Sequence, residues 1–177
     1  MSAEYAMKLK KSVSGDEYYS SVETVNMILP YIIRGGYKKV WCPFDKDDSN
    51  FVKILTKEGF DVNYGHIETG QDFFEYTTAQ GEVVVSNPPF SKRDQVFEKL
   101  YELKAPFAMV MNFNGLFDSR KRYDLFSTHN VQLLIPRGRM KFEHKDRGLL
   151  ESPSFQSVYV CSGFNLDSQI VFTNDVF

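Results

Sequence analysis

The chain has 177 residues and a formal net charge of −2, enough for one well-buried domain and short for two. That balance excludes a surface that binds nucleic acid by bulk charge, so any such contact has to come from a local patch. No apolar run approaches the roughly 18 residues that span a bilayer, and the lysines of the opening MSAEYAMKLKK are followed by no apolar core, so neither a membrane partner nor a signal peptide is expected.

In chain order, residues 1–15 read as loosely held. From Val22 to Ile33, the apolar positions Val22, Val25, Ile28, Leu29 and Ile32 follow helical spacing, and Gly35-Gly36 ends the helix. Lys39 to Pro43 is a short buried strand. Ser49 caps a helix with Phe51, Val52, Ile54 and Leu55 inside, stopped by Gly59. Phe60 to Tyr64 is the next strand, and Glu82 to Ser86 a third, β-branched enough to lie centrally in a parallel sheet. Asp94 to Leu103 is helical, with Val96, Phe97, Leu100 and Leu103 on its inner face. Pro106 to Met111 is a strand, Arg120 to Ser127 a helix. Val131 to Pro136 and Ser157 to Cys161 are late strands with a polar and basic excursion between them. Strands alternating with helices predict one α/β domain over 1–177 with a Rossmann-like, mostly parallel sheet and an antiparallel C-terminal edge. Cys42 and Cys161 are the only cysteines, which points to a reduced, cytoplasmic protein.

Ligands of such sheets bind at the carboxyl ends of the strands, and there Val83-Val84-Val85-Ser86 runs into Asn87-Pro88-Pro89-Phe90. Both prolines fix φ and lack an N–H, and each holds the preceding residue extended. In such a stiff exit the Asn87 side-chain oxygen and the Pro88 carbonyl offer two acceptors to one small spot. A conjugated –NH2 group has two donors to match them, and its lone pair is then aimed out of plane at an electrophile. Phe90 supplies a flat face for a planar substrate. Positioning and electrostatic fit, not a strong base, would supply the rate. The same tetrapeptide also closes ordinary turns.

Asn87-Pro88-Pro89-Phe90 resembles the [D/N/S]-P-P-[Y/F/W] signature of the amino-methylating class I S-adenosylmethionine-dependent methyltransferases. The longer context, WCPFDKDDSNFVKIL, HIETGQDFF, NPPFSK, PFAMVMN, RGRMKFE and SFQSVYVC, is similar to small adenine-specific methyltransferase-like proteins of phages and prophages. The resemblance covers roughly residues 16–172. It implies the class I methyltransferase sheet, S-adenosyl-L-methionine as cofactor and methylation of an amino nitrogen, adenine N6 of DNA first. RNA and protein glutamine are alternative substrates. A degenerate fold that acts as a binding module is the rival reading. Beside the catalytic Asn87, Pro88, Pro89 and Phe90, the resemblance assigns Tyr19 and Ser20 to the opening of the cofactor site. Pro43, Phe44 and Asp45 fall to its first loop, His66 to the ribose, and Asp72 and Phe73 to the adenine pocket.

Departures from the family are concentrated in the first loop. Its pattern there is D-P-F-x-G-x-G; Pro43 and Phe44 match, Cys42 replaces the acid, and Lys46 and Asp48 stand at the glycines. Asp45 or Asp47 is left to pair with the cofactor's ammonium. Glu68 follows His66 by two positions as a further acid. Asp45-Lys46-Asp47-Asp48-Ser49-Asn50 imitates a calcium loop but has Asn50 at the sixth position and Thr56 at the twelfth, and no metal is expected. Lys92, Arg93, Arg137, Arg139 and Lys141 are candidates for a positive rim that grips phosphates, with a solvated surface as the alternative. Phe142 and Phe155 are read as core residues or further stacking surface. A separate target-recognition domain would need about 80–100 further residues. Specificity is therefore expected to be short, or to come from a partner subunit.

Overall fold

Strands covered by helices on both faces must be apolar on both faces, and this decides which segments become central. Val83–Ser86 is buried at every position, Lys39–Cys42 at all but the first. The computed structural model describes residues 18–144, 148–150 and 154–176. Its first half runs β1 (Tyr18–Ser20), α1 (Val22–Arg34), β2 (Lys39–Cys42), α2 (Asn50–Lys57), β3 (Asp61–Tyr64), β4 (Val83–Ser86) and α3 (Arg93–Leu103). Then come β5 (Phe107–Asn112), α4 (Arg120–Thr128), β6 (Gln132–Arg137), β7 (Phe142–His144), β8 (Gly148–Leu150), β9 (Ser157–Ser162) and β10 (Ile170–Val176). Single 3-10 turns occupy Ile67–Thr69, Phe73–Glu75 and Phe90–Lys92.

The main sheet has seven strands in the order β10-β6-β9-β5-β4-β2-β3. All neighbours are parallel except those of β9, which runs antiparallel to β5 and β6. The α/β class is the expected one. The antiparallel element lies on the C-terminal side of the sheet, as expected: β9 is third from that rim, inside β6 and the parallel rim strand β10. The reason is burial: β9 is covered at all but its last residue, with Val158 and Val160 on one face and Tyr159 and Cys161 on the other. Ile170 and Phe172 of β10 tolerate exposure. β1, β7 and β8 form a separate antiparallel sheet in the order β1-β7-β8, so the polar excursion folds back over the start of the described chain.

Alternation along the strands divides the core. Val40, Cys42, Val83, Val85, Ala108 and Val110 face α1 and α2, while Trp41, Val84, Met109 and Met111 face α3 and α4. Ser21, Ser49 and Ser119 cap α1, α2 and α4 by accepting N–H bonds from Thr24, Val52 and Arg122. From β2 the chain steps outward to β3, returns past β2 to β4, and continues on the other side to β5. The direction therefore reverses between β2 and β4. Ligands of open α/β sheets enter the crevice beyond the carboxyl ends at such a reversal. Here those ends are Cys42 and Ser86.

Candidate active site

The two chain exits at the reversal are tied to each other. Ser86 Oγ accepts the Phe44 N–H at 3.2 Å and donates to the Asp45 carboxylate. Asp45 is only 7 % exposed. Burial pushes its carboxyl from 3.8 up to about 7, against the opposing pull of hydrogen bonds from Ser86 and Ser49. At neutral pH it stands between acid and anion. Cys42, directly before the loop, is buried and its thiol is pushed well up, first by burial and then by Asp45.

Asn87 leaves β4 half-buried, with its Oδ1 atom closed off from solvent. Pro88 is buried, and Pro89 holds φ −63° and ψ 122°, the extended exit that the ring imposes. Phe90 is half-buried and meets Phe155 edge to face, centroids 6.0 Å apart; Phe155 leans in turn on buried Phe142. Of the residues after the corner, Lys92 is exposed and places Nζ 5.5 Å over the Phe74 ring. Arg93 turns inward, where its Nη1 donates to the Asn114 carbonyl at 2.9 Å.

Tyr19 and Ser20 lie in β1, and the Ser20 carbonyl accepts from Asn50 Nδ2 at 2.9 Å, which sets them against the N-terminus of α2. Ser20 Oγ is buried and has no hydrogen-bond partner among the described residues. A buried orphan hydroxyl beside the N-terminus of α2, which the chain enters from the Pro43–Asp45 loop, suits a polar ligand, and on this observation the residues fit an amino-acid-bearing cofactor. Across the loop, Lys46 ion-pairs with Glu68, whose backbone N–H donates to His66 Nδ1 at 3.2 Å. Glu68 is thus the carboxylate at the end of β3, with His66 capping the turn that presents it. Asp72 Oδ1 accepts the Phe74 N–H at 3.0 Å, and Phe73 is buried, 4.7 Å from the Phe44 ring and 5.6 Å from Trp41. Phe73 forms the floor under Phe44.

Arg137 and Arg139 are exposed and Lys141 half-buried, whereas Met140 and Phe142 between them go to the core. Gln156 fixes this loop: its Nε2 donates to the Gly138 carbonyl and its own carbonyl accepts the Phe113 N–H, both at 2.8 Å. Ser86 and Gln156 were not singled out by the sequence. A serine closing a valine run was the one available signal. Gln156 carried none. Among the described residues no three His, Cys, Asp or Glu side chains gather as a metal set, and no helix is long and apolar enough to cross a membrane.

No protein-family profile and no curated protein matches the chain. The solved structures similar to it include these three. A modification subunit of a provisionally assigned type I restriction enzyme from Vibrio vulnificus is 11 % identical, with a TM-score of 0.48 over 89 % of this chain and 47 % of that one. A provisionally assigned RNA methyltransferase from Pyrococcus horikoshii is 13 % identical, with a TM-score of 0.43 over 76 % and 78 %. A provisionally assigned methyltransferase from Thermoplasma acidophilum is 10 % identical, with a TM-score of 0.37 over 88 % and 69 %. The chain spans about half the length of the first of these, and at such identities the likeness is one of fold.

Proposed function

We propose that the chain transfers a methyl group from S-adenosyl-L-methionine to an amino nitrogen, with adenine N6 of DNA as first substrate and RNA adenine as second. The observation that carries this is the position of Asn87-Pro88-Pro89-Phe90 at the carboxyl end of β4, on the sheet reversal. With its side chain rotated out of the closed position, Asn87 Oδ1 accepts one N–H of the amine and the Pro88 carbonyl the other, which turns the lone pair outward, and Phe90 stacks the base. Ser20, Asp45, Glu68 and Asp72 would hold the cofactor, and Phe44 and Phe73 would line its base. When bound, the cofactor supplies a sulfonium methyl as electrophile. No strong base is needed, because the amine's second proton becomes acidic only as the new N–C bond forms and leaves to solvent. Target choice is shared with a partner subunit.

A second reading is a binding module that keeps the corner without the chemistry. The Lys46–Glu68 ion pair and the buried Asp45 favour it, since they occupy the loop where glycines would let a ligand approach closely. Methyl incorporation from labelled cofactor into DNA and RNA, alongside calorimetry with the cofactor, separates the two. The enzyme is expected to bind cofactor and to lose incorporation, but not cofactor affinity, in Asn87→Ala. Absence of cofactor binding in the unaltered protein would overturn the enzymatic reading. Methylation of glutamine in a peptide with none in nucleic acid would overturn the substrate.

A further inference from the structure

The loop that follows β5 is rigid at its backbone and apolar at its surface. β4 and β5 pair with Ser86 opposite Met109, and β5 runs three residues further, to Asn112. Residues 113–119 therefore rise beside the Asn87–Phe90 corner, and the Arg93 bond to the Asn114 carbonyl joins the two. Beneath the loop lies Arg122, only 4 % exposed. Its Nε donates to the Leu116 carbonyl at 2.6 Å, its Nη2 to the Gly115 carbonyl at 2.7 Å, and its Nη1 pairs with Asp94. Gly115 takes φ +66°, and Leu116 is buried as an anchor. Three successive carbonyls are thus held by two guanidinium groups, one of them buried at a desolvation cost.

Such investment in one backbone shape leaves two large rings in solvent. Phe113 is 40 % and Phe117 50 % exposed. They meet edge to face at 6.3 Å and 77°, and Phe117 rests against Phe126 at 5.9 Å. On the other side, the Phe113 N–H bond to Gln156 and the Gln156 bond to Gly138 run straight into the loop that carries Arg137 and Arg139. Asp118 and Asp94, the acids of this region, face Arg93 and Arg122. Two pre-ordered aromatic rings flanked by exposed arginines are the components of a single-strand nucleic-acid surface, on which bases stack and phosphates meet cations.

We infer that Phe113 and Phe117 are a stacking platform for the nucleobase next to the target, and that the substrate is unpaired at that position. A base inside a duplex has both faces covered by its neighbours and has none to offer a ring. The backbone of the bound strand crosses Arg137 and Arg139. This deepens the proposed reading of the corner by naming the form of nucleic acid it receives.

Fluorescence anisotropy tests it, using a fluorescein-labelled oligodeoxynucleotide of about 12 nucleotides, within the span of known single-strand sites. The same sequence is measured as single strand, as annealed duplex and as RNA, with cofactor affinity followed by calorimetry. The unaltered protein is expected to bind single strands at least tenfold more tightly than duplex. Phe113→Ala and Phe117→Ala should each weaken single-strand binding by about tenfold. Cofactor affinity should stay unchanged, melting temperature should fall by no more than about 4 °C through the lost ring contacts, and Phe113→Trp, which keeps a ring, should restore binding. Equal or tighter binding of duplex would overturn the inference, as would alanine variants that bind like the parent, or no binding of any strand. In those cases, cofactor binding and methyl transfer to another amine would leave the proposed enzyme standing. Conversely, strand binding that depends on Phe113 in a protein that binds no cofactor would keep the platform and remove the enzyme.

Discussion

Asparagine at position 45 keeps the shape of the buried aspartate and removes its ability to ionise. The folded carboxyl titrates at about 7 against an ordinary value of 3.8, because burial disfavours its charge. The folded chain therefore retains a proton that the unfolded chain releases. Its stability contribution is whole below about pH 3.8, falls as pH rises through the window up to about 7, and is level above it. At about 1.4 kcal/mol for each pH unit, the cost of carrying the buried anion reaches ~4 kcal/mol on the alkaline side. Asp45→Asn escapes that cost and gives up about 1 kcal/mol through a weaker bond from Ser86. The variant should match the parent near about pH 4.5 and exceed it by up to ~3 kcal/mol near about pH 8. For a chain of this size the latter is a gain of about 6–12 °C in melting temperature. Urea titrations of both proteins at the two pH values measure the difference directly. If the gap between variant and parent fails to widen from the acid to the alkaline condition, the carboxyl is not held protonated by burial and the reasoning is wrong.

If the Asp45 anion receives the cofactor's ammonium, affinity for S-adenosyl-L-methionine should rise by up to about tenfold between about pH 6 and about pH 8, and the rise should vanish in Asp45→Asn; calorimetry across that range reads it. Asn87→Ala should lower the turnover of methyl transfer by about a hundredfold or more, through lost orientation of the amine, with cofactor affinity within about twofold. Gly81→Ala places a Cβ 2.8 Å from the Trp41 backbone nitrogen and 3.1 Å from the Lys39 carbonyl, so thermal unfolding should show a loss of about 1–3 kcal/mol. Arg122→Met strips Asp94 and two loop carbonyls of their donor, and a loss of about 3 kcal/mol is expected in denaturant titration.

The strand Val83–Ser86 and its proline corner were legible because both are local. Burial on two faces leaves an unbroken apolar run, and a proline restricts its own φ wherever it stands. Ser49 and Gly35 marked helix ends for the same reason, since a cap acts within one turn of the chain. The strands β1, β7 and β8 have three residues each, too few to display a period, and they exist only because the excursion returns to the start of the described chain. The place of β9 between β5 and β6 likewise depends on which surfaces needed cover, a choice made among segments distant in sequence.

The candidate site divides along the same line. The Asn87–Phe90 tetrapeptide, the missing glycines at Lys46 and Asp48, and the run of basic residues after β6 were all readable in the sequence, because residue type alone carries their chemistry. Four things came only with the tertiary structure: Ser86 bridging to Asp45, Glu68 reaching Lys46, Arg93 turning away from the rim, and Phe113 and Phe117 held in solvent above Arg122. Each joins groups between 21 and 41 residues apart, or pins a loop from below. Proline stereochemistry and apolar runs are properties of a segment, whereas a carboxyl's charge state and a ring's exposure are set by whatever the folded chain brings beside them.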